Sequence, residues 1–243
     1  MPINRRSVLR GTAGGTLSLA ASRSIRSARA AVKITPGARD VFIVVDVQHS
    51  FIPGGSLAVP RGDEVVPIIN RLAAGFLHVV MTQDWRTQGH ISFASSHPGA
   101  KPFDVIDLPY GKQVLWPDHC VQGTAGAELS KDLAIPKAEL IIRKGYCQNV
   151  DSYSAFYEAD GKTPTGLGGY LKQRGLKRVF IAGLATDFCI CFTALDARKE
   201  GFAAYVIEDA CRGIDANGSL AASWAKMKKS GVQRIQSADL AIA

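Results

Sequence analysis

Hydrophobic runs and helical spacings alternate along this chain. Val41 to Val45 is an unbroken apolar run, Val-Phe-Ile-Val-Val, between Asp40 and Asp46. Such a run predicts a strand buried on both faces, over Asp40–Val47. Val66, Ile69 and Leu72 then recur at helical spacing, which predicts a helix over Asp63–Ala74 with Asp63 as its N-cap. Further strands are predicted over Leu77–Thr82, Glu139–Arg143, Arg178–Ala182, Ala204–Ile207 and Val232–Ile235. Further helices are predicted over Thr165–Arg174, Asp187–Lys199 and Ser219–Lys229. Strands alternating with helices imply an α/β fold, a parallel sheet covered by helices on both faces. Residues 84–137 are rich in Gly, Pro, His and Asp and read as one long irregular region, the kind of loop that is usually functional.

Parallel sheets bind ligands beyond the carboxyl ends of their strands. Three reactive residues fall there: Asp46 after the first strand, Lys144 after the third and Cys189 just past the fourth. A cysteine at the start of a helix meets free N–H groups and a partial positive charge, which favour the thiolate. A lysine ammonium nearby would favour it further. An aspartate can carry the thiol proton to a leaving amine. A lone cysteine is more often a small buried hydrophobe. The matching positions of Asp46 and Lys144 turn the reading towards a nucleophile. Cys191, two residues on, reads as core.

Composition narrows the choices. Apolar residues make up 47% of 243 residues, enough for one sizeable core, and no stretch of about 18 uncharged apolar residues exists to span a membrane. The formal charge of +8 at first suggests nucleic acid. Residues 1–31, however, hold six arginines and no acid, and without them the charge falls to +2. The basic balance therefore belongs to the leader, and no nucleic-acid face is expected. Within that leader, Asn4-Arg5-Arg6-Ser7-Val8-Leu9-Arg10 resembles a twin-arginine export signal, with Ala28-Arg29-Ala30 as an A-x-A cleavage site. This predicts a periplasmic protein, the alternative being a disordered basic tail on a cytoplasmic one. Five cysteines without a CxxC pair exclude a disulfide framework and a structural zinc knot.

The irregular region carries a second cluster, Asp84, His90, His97, Asp118 and His119, of residue types that bind zinc, iron or manganese. Trp85, Trp116 and Phe51 stand near it in sequence and are candidates for an aromatic cage around a flat ring.

The local motifs are Asp46-Val47-Gln48, Gly54-Gly55-Ser56-Leu57-Ala58-Val59, Gln83-Asp84-Trp85, His90-Ile91-Ser92-Phe93, Trp116-Pro117-Asp118-His119-Cys120, Arg143-Lys144-Gly145 and Gly183 to Cys189. From Val41 to the C-terminus the chain resembles the nicotinamidase/pyrazinamidase branch of the isochorismatase-like hydrolases. The resemblance implies a single three-layer αβα domain over 36–243, with a six-stranded parallel sheet and a cis peptide before Ala185. It implies hydrolysis of the amide of nicotinamide to nicotinate and ammonia, and of pyrazinamide, as in NAD salvage. The route would be a cysteine thioester on an Asp46, Lys144, Cys189 triad. The N–H groups of Ala185 and Cys189 would hold the oxyanion, and Phe51 and Trp116 would pack on the pyridine ring.

The resemblance also implies one divalent metal ion, zinc, iron or manganese, held by Asp84 and His119 near the ring nitrogen. Arg86 stands where the family has a histidine ligand. A guanidinium has no lone pair to give and stays charged, so metal affinity is expected to fall, or His90 to take the vacant place. His49-Ser50 also depart from the family's Asn-Asp, with effects expected only through neighbouring residues. Two further readings are an amidase of the same fold acting on another small amide, and a pyridine-binding protein disabled at Arg86. The Asp46, Lys144, Cys189 set argues against the second. A homo-oligomer is left open.

Overall fold

In the computed structural model, which describes residues 33–242, a six-stranded parallel sheet runs in the order β5-β2-β1-β6-β7-β8. The strands are β1 (Asp40–Val45), β2 (His78–Asp84), β5 (Leu140–Lys144), β6 (Arg178–Leu184), β7 (Ala203–Arg212) and β8 (Gln233–Ile235), and a separate antiparallel hairpin is formed by β3 (Val105–Leu108) and β4 (Gly111–Val114). The helices are α1 (Val65–Ala74), α2 (Leu167–Gln173), α3 (Cys191–Lys199) and α4 (Ser219–Lys229), and they cover both faces of the sheet.

The burial of each strand explains its sequence. All six residues of β1 are buried, and β2 and β6 are buried beyond their first residue. A strand covered on both faces needs apolar side chains at every position, hence the unbroken β-branched runs. The edge strand β5 instead alternates, and Ile141 is exposed. In the core Phe42 stacks on Phe76, and Phe76 meets Phe180 at a tilt, each pair at a centroid distance of 5.1 Å. Each such buried side chain contributes about 1.5–3 kcal/mol relative to exposure.

Several expectations shift. The first helix opens with a 3-10 turn, Gly62–Glu64, and Asp63 caps nothing. The irregular region contains the β3–β4 hairpin, and β7 is ten residues long rather than four. The folded chain begins before residue 36: Ile34 pairs with Leu240, and its carbonyl accepts from Ala241 N–H at 2.9 Å. The predicted export leader lies outside the described residues. Among the described residues no helix is long and apolar enough to cross a membrane.

Candidate active site

Strand register brings the charged groups together. Asp84 and Lys144 are direct cross-strand partners at the ends of β2 and β5, and Asp46 follows the last residue of β1 next door. On the other side of β1, β6 runs through a cis Leu184–Ala185 peptide into a single π-helical turn, Thr186–Ile190, before α3 begins. Cys189 sits in that turn rather than in the regular α-helix expected from Asp187.

Lys144 is the hub. Its Nζ lies 2.8 Å from Asp46 Oδ2, 2.9 Å from Asp84 Oδ1 and 3.4 Å from Cys189 Sγ. Thr82 Oγ1 donates to Asp46 Oδ1 at 2.6 Å and accepts from Asp46 N–H at 3.0 Å. These bonds hold Asp46 at φ 48°, a left-handed conformation uncommon outside glycine. The contact between Asp46 Oδ2 and Lys144 is an ion pair without hydrogen-bond alignment, which leaves Oδ2 lone pairs for another donor.

Burial sets the electrostatics. It opposes the charge on Lys144, yet Asp46 and Asp84 hold the ammonium pKa well above the ordinary lysine value. Burial raises the Asp46 carboxyl, and Lys144 offsets only part of that rise. Burial also pushes the Cys189 thiol well up; Lys144 pulls it back, while Asp46 and Asp84 push it further. Burial here works against the thiolate that a cysteine at a helix start favours. Desolvation outweighs the one nearby cation.

A small cavity opens onto this cluster. Phe51, Leu57, Trp116, Tyr153, Phe188 and Ile214 supply its apolar walls, and Asp84, Arg86, His119, Ala185 and Cys189 its polar end. Trp116 meets Phe188 edge-on at 4.8 Å, and its indole N–H donates to Tyr153 Oη at 3.0 Å. The rings thus brace one another before any ligand arrives.

Phe51 and Trp116 line the cavity as the sequence suggests. Trp85 does not; it lies under the Arg143 guanidinium, 3.8 Å from its ring centre. Sequence reasoning missed Tyr153, Phe188 and Ile214. It also missed Asp187, whose carboxylate accepts from the Ile214 and Asp215 N–H groups at 3.0 and 2.8 Å and so places Ile214.

The proposed metal ligands are only partly assembled. Asp84 Oδ2 and His119 Nε2 lie 3.4 Å apart, and His119 Nδ1–H donates to the Pro117 carbonyl at 2.7 Å. Arg86 is fully buried beside them. Its Nε donates to Asp84 Oδ2 at 3.0 Å, and Nη1 donates to Ser92 Oγ at 2.8 Å and to the Asp151 carboxylate. His90 is no substitute ligand: Nε2 lies 3.0 Å from the Cys147 carbonyl and Nδ1 2.8 Å from Ser92 Oγ. His97 bonds the Ile91 carbonyl and Asp118 accepts from Ser95, both away from the cavity. Among the described residues no three His, Cys, Asp or Glu side chains are arranged to hold a metal ion. The donors present do not fit one. Ser50, a departure from the family motif, accepts the Cys120 N–H on its Oγ at 3.0 Å and so steadies the residue after His119. All five cysteines are free.

Residues 40–239 match the isochorismatase domain model. The chain is 59% identical to the nicotinamidase of Acinetobacter baylyi over 200 residues, 82% of this chain and 94% of that protein. The solved nicotinamidase/pyrazinamidase of Acinetobacter baumanii superposes with a TM-score of 0.83 at 58% identity, covering 84% of this chain and 98% of that one. A pyrazinamidase of Pyrococcus horikoshii, solved in complex with zinc, is similar at a TM-score of 0.67 and 35% identity, with 82% of this chain and 99% of that one covered.

Proposed function

The chain belongs to the isochorismatase domain family, and we propose that within it the protein hydrolyses nicotinamide to nicotinate and ammonia, and accepts pyrazinamide. The observation that carries the mechanism is Lys144 Nζ, in contact with both Asp46 Oδ2 and Cys189 Sγ at the floor of an aromatic cavity.

The ring enters between Phe51 and Trp116, with its carboxamide at Cys189. Asp46 Oδ2 takes the thiol proton as Sγ attacks the carbonyl carbon. Because burial raises both the thiol and Asp46, the proton moves between two groups destabilised in the same sense. Lys144 stays charged throughout and attracts the sulfur as negative charge develops on it. The N–H groups of Ala185 and Cys189 receive the oxyanion. Asp46 passes its proton to the nitrogen, the C–N bond breaks, and ammonia leaves a thioester behind. Water then attacks with Asp46 as base, the C–S bond breaks, and the thiol is restored as nicotinate departs.

The arginine-rich leader supports delivery of the enzyme to the periplasm. Neither the pyridine-binder reading nor a different amide substrate is favoured, since the chain matches nicotinamidases over most of their length. The test is ammonia release from nicotinamide by the full chain and by Cys189→Ala. Turnover that disappears in the variant supports the reading, and a wild-type protein with no turnover would sink it.

A further inference from the structure

We propose that the Arg86 guanidinium anchors the ring nitrogen of the substrate directly, in the place a metal ion would occupy, so that this chain works without a bound metal. The inference rests on nicotinamide as substrate.

The donor set argues first. Of the three positions implied for metal ligands, Asp84 and His119 keep a donor, and Arg86 supplies a permanent cation. Both Asp84 oxygens are already engaged, Oδ1 by Lys144 at 2.9 Å and Oδ2 by Arg86 Nε at 3.0 Å. An incoming divalent ion would have to displace a cation from Asp84 and then sit against the guanidinium. The remaining histidine of the cluster, His90, has both ring nitrogens engaged.

Charge balance argues next. Arg86 is fully buried, as are its partners Asp84 and Asp151. Lys144 and the guanidinium together face three buried carboxylates, Asp46, Asp84 and Asp151, and supply the positive charge that these require in a dry site. A divalent ion added to the same cluster would leave the cations in excess.

The guanidinium is also built to act on a ligand. It is clamped between two carboxylates and so cannot swing. Of its five N–H groups, those on Nε and Nη1 have Asp84, Ser92 and Asp151 as partners. Nη2, with two hydrogens, has only a long contact of 3.4 Å to the Ser152 carbonyl. Among the described residues at least one Nη2–H is therefore without a partner, on a side chain that lines the cavity with Cys189. A pyridine nitrogen offers one in-plane lone pair and no proton, the acceptor that such a donor suits. A fixed charged donor of this kind replaces a Lewis acid for orientation.

The experiment measures metal content and ligand binding on the full-length chain carrying Cys189→Ala, which binds without turnover. The probes are nicotinamide and benzamide, the same ring and carboxamide without the nitrogen. We expect substoichiometric metal, and nicotinamide bound about ten- to a hundredfold tighter than benzamide, the worth of one charge-assisted hydrogen bond. Dialysis against a strong chelator should leave that ratio unchanged. The same ratio in kcat/KM on the unmutated chain is the second readout. Arg86→His should take up zinc where the unmutated chain does not. A stoichiometric ion whose removal abolishes the nicotinamide preference would overturn the proposal. So would equal binding of the two amides, or an Arg86→His variant that takes up no more zinc than the unmutated chain. Ammonia release is scored separately: its absence alongside an intact binding preference would sink the hydrolase reading and leave Arg86 in place.

Discussion

Lys144 carries its charge in a place where an ammonium alone would be severely disfavoured, so its partners and its substitution are coupled. Lys144→Met leaves Asp46 and Asp84 buried without their shared cation. The expected cost is about 3–5 kcal/mol of stability, read as a lowered denaturant midpoint, together with loss of turnover; an unchanged midpoint would contradict the hub. Asp46→Asn is the complementary change, because it keeps the shape and removes the proton carrier. Its kcat for nicotinamide should fall by about 10²–10⁴-fold while the dissociation constant stays within a few-fold, a split that steady-state kinetics and calorimetry resolve. Asp46, Lys144 and Cys189 were legible in the sequence because each lies at or just past the end of an apolar run, and the sheet turns shared strand ends into shared space. Tyr153, Phe188 and Asp151 were not legible, since their places depend on the path of loops between strands. The environment of Cys189 was only half legible: a helix start is visible in sequence, but the depth of burial that raises the thiol is not.

At the scale of elements, all six parallel strands were legible, every one but β7 nearly to its ends, while the exposed hairpin and the irregular turn were lost. The β3–β4 hairpin has mostly exposed or half-buried residues and no apolar face to announce it. The π-turn at Thr186–Ile190 has the composition of a helix and shows itself only by its bonding, Ile190 N–H to the Ala185 carbonyl at 3.1 Å. The closeness of β6 to β1 beside that turn depends on one glycine. Gly183 sits at φ 126°, and a Cβ there would lie 2.1 Å from the Val45 carbonyl oxygen. Gly183→Ala therefore has to open the sheet next to Asp46, and should cost more than about 2 kcal/mol, seen as poor recovery of folded protein or a much lower melting midpoint. Gly169, inside α2, is the contrast, with helical φ and open space around its Cα. Gly169→Ala should raise stability by about 0.4–1 kcal/mol. If both substitutions cost the same, backbone crowding at the strand end is not what makes Gly183 necessary.

For the whole molecule, the acid side of the stability curve follows from which buried groups are kept uncharged. His90, one alternative from sequence for the ligand place that Arg86 occupies, lies in a dry cluster where burial and the Arg86 guanidinium hold its pKa down to about 4, while Asp151 and Asp84 pull it partly back. An unfolded histidine titrates near ~6.5. Between those values the unfolded chain binds more protons at this position than the folded one, so stability falls as the pH drops from about 6.5 towards 4. The size of the effect is on the order of 3 kcal/mol across that window. Asp84 and Asp151 act in the same direction at lower pH: their neighbouring cations hold both below the ordinary value against burial, so the stability they add above ~4 is lost on further acidification. Asp46 and Glu158 have the opposite sign, because burial raises them and the folded chain binds their protons first. A total curve therefore mixes opposing groups, and a comparison isolates His90. In His90→Gln the side-chain amide can still donate to the Cys147 carbonyl but does not titrate. The difference in melting midpoint between the two chains should shift in the variant's favour as the pH is lowered from 7 to 5. A difference that stays constant over that interval would mean that His90 binds its proton equally in the folded and unfolded chains, and one that shifts towards the unmutated chain would mean that His90 is charged in the fold; either result would contradict the packing of Arg86 against it.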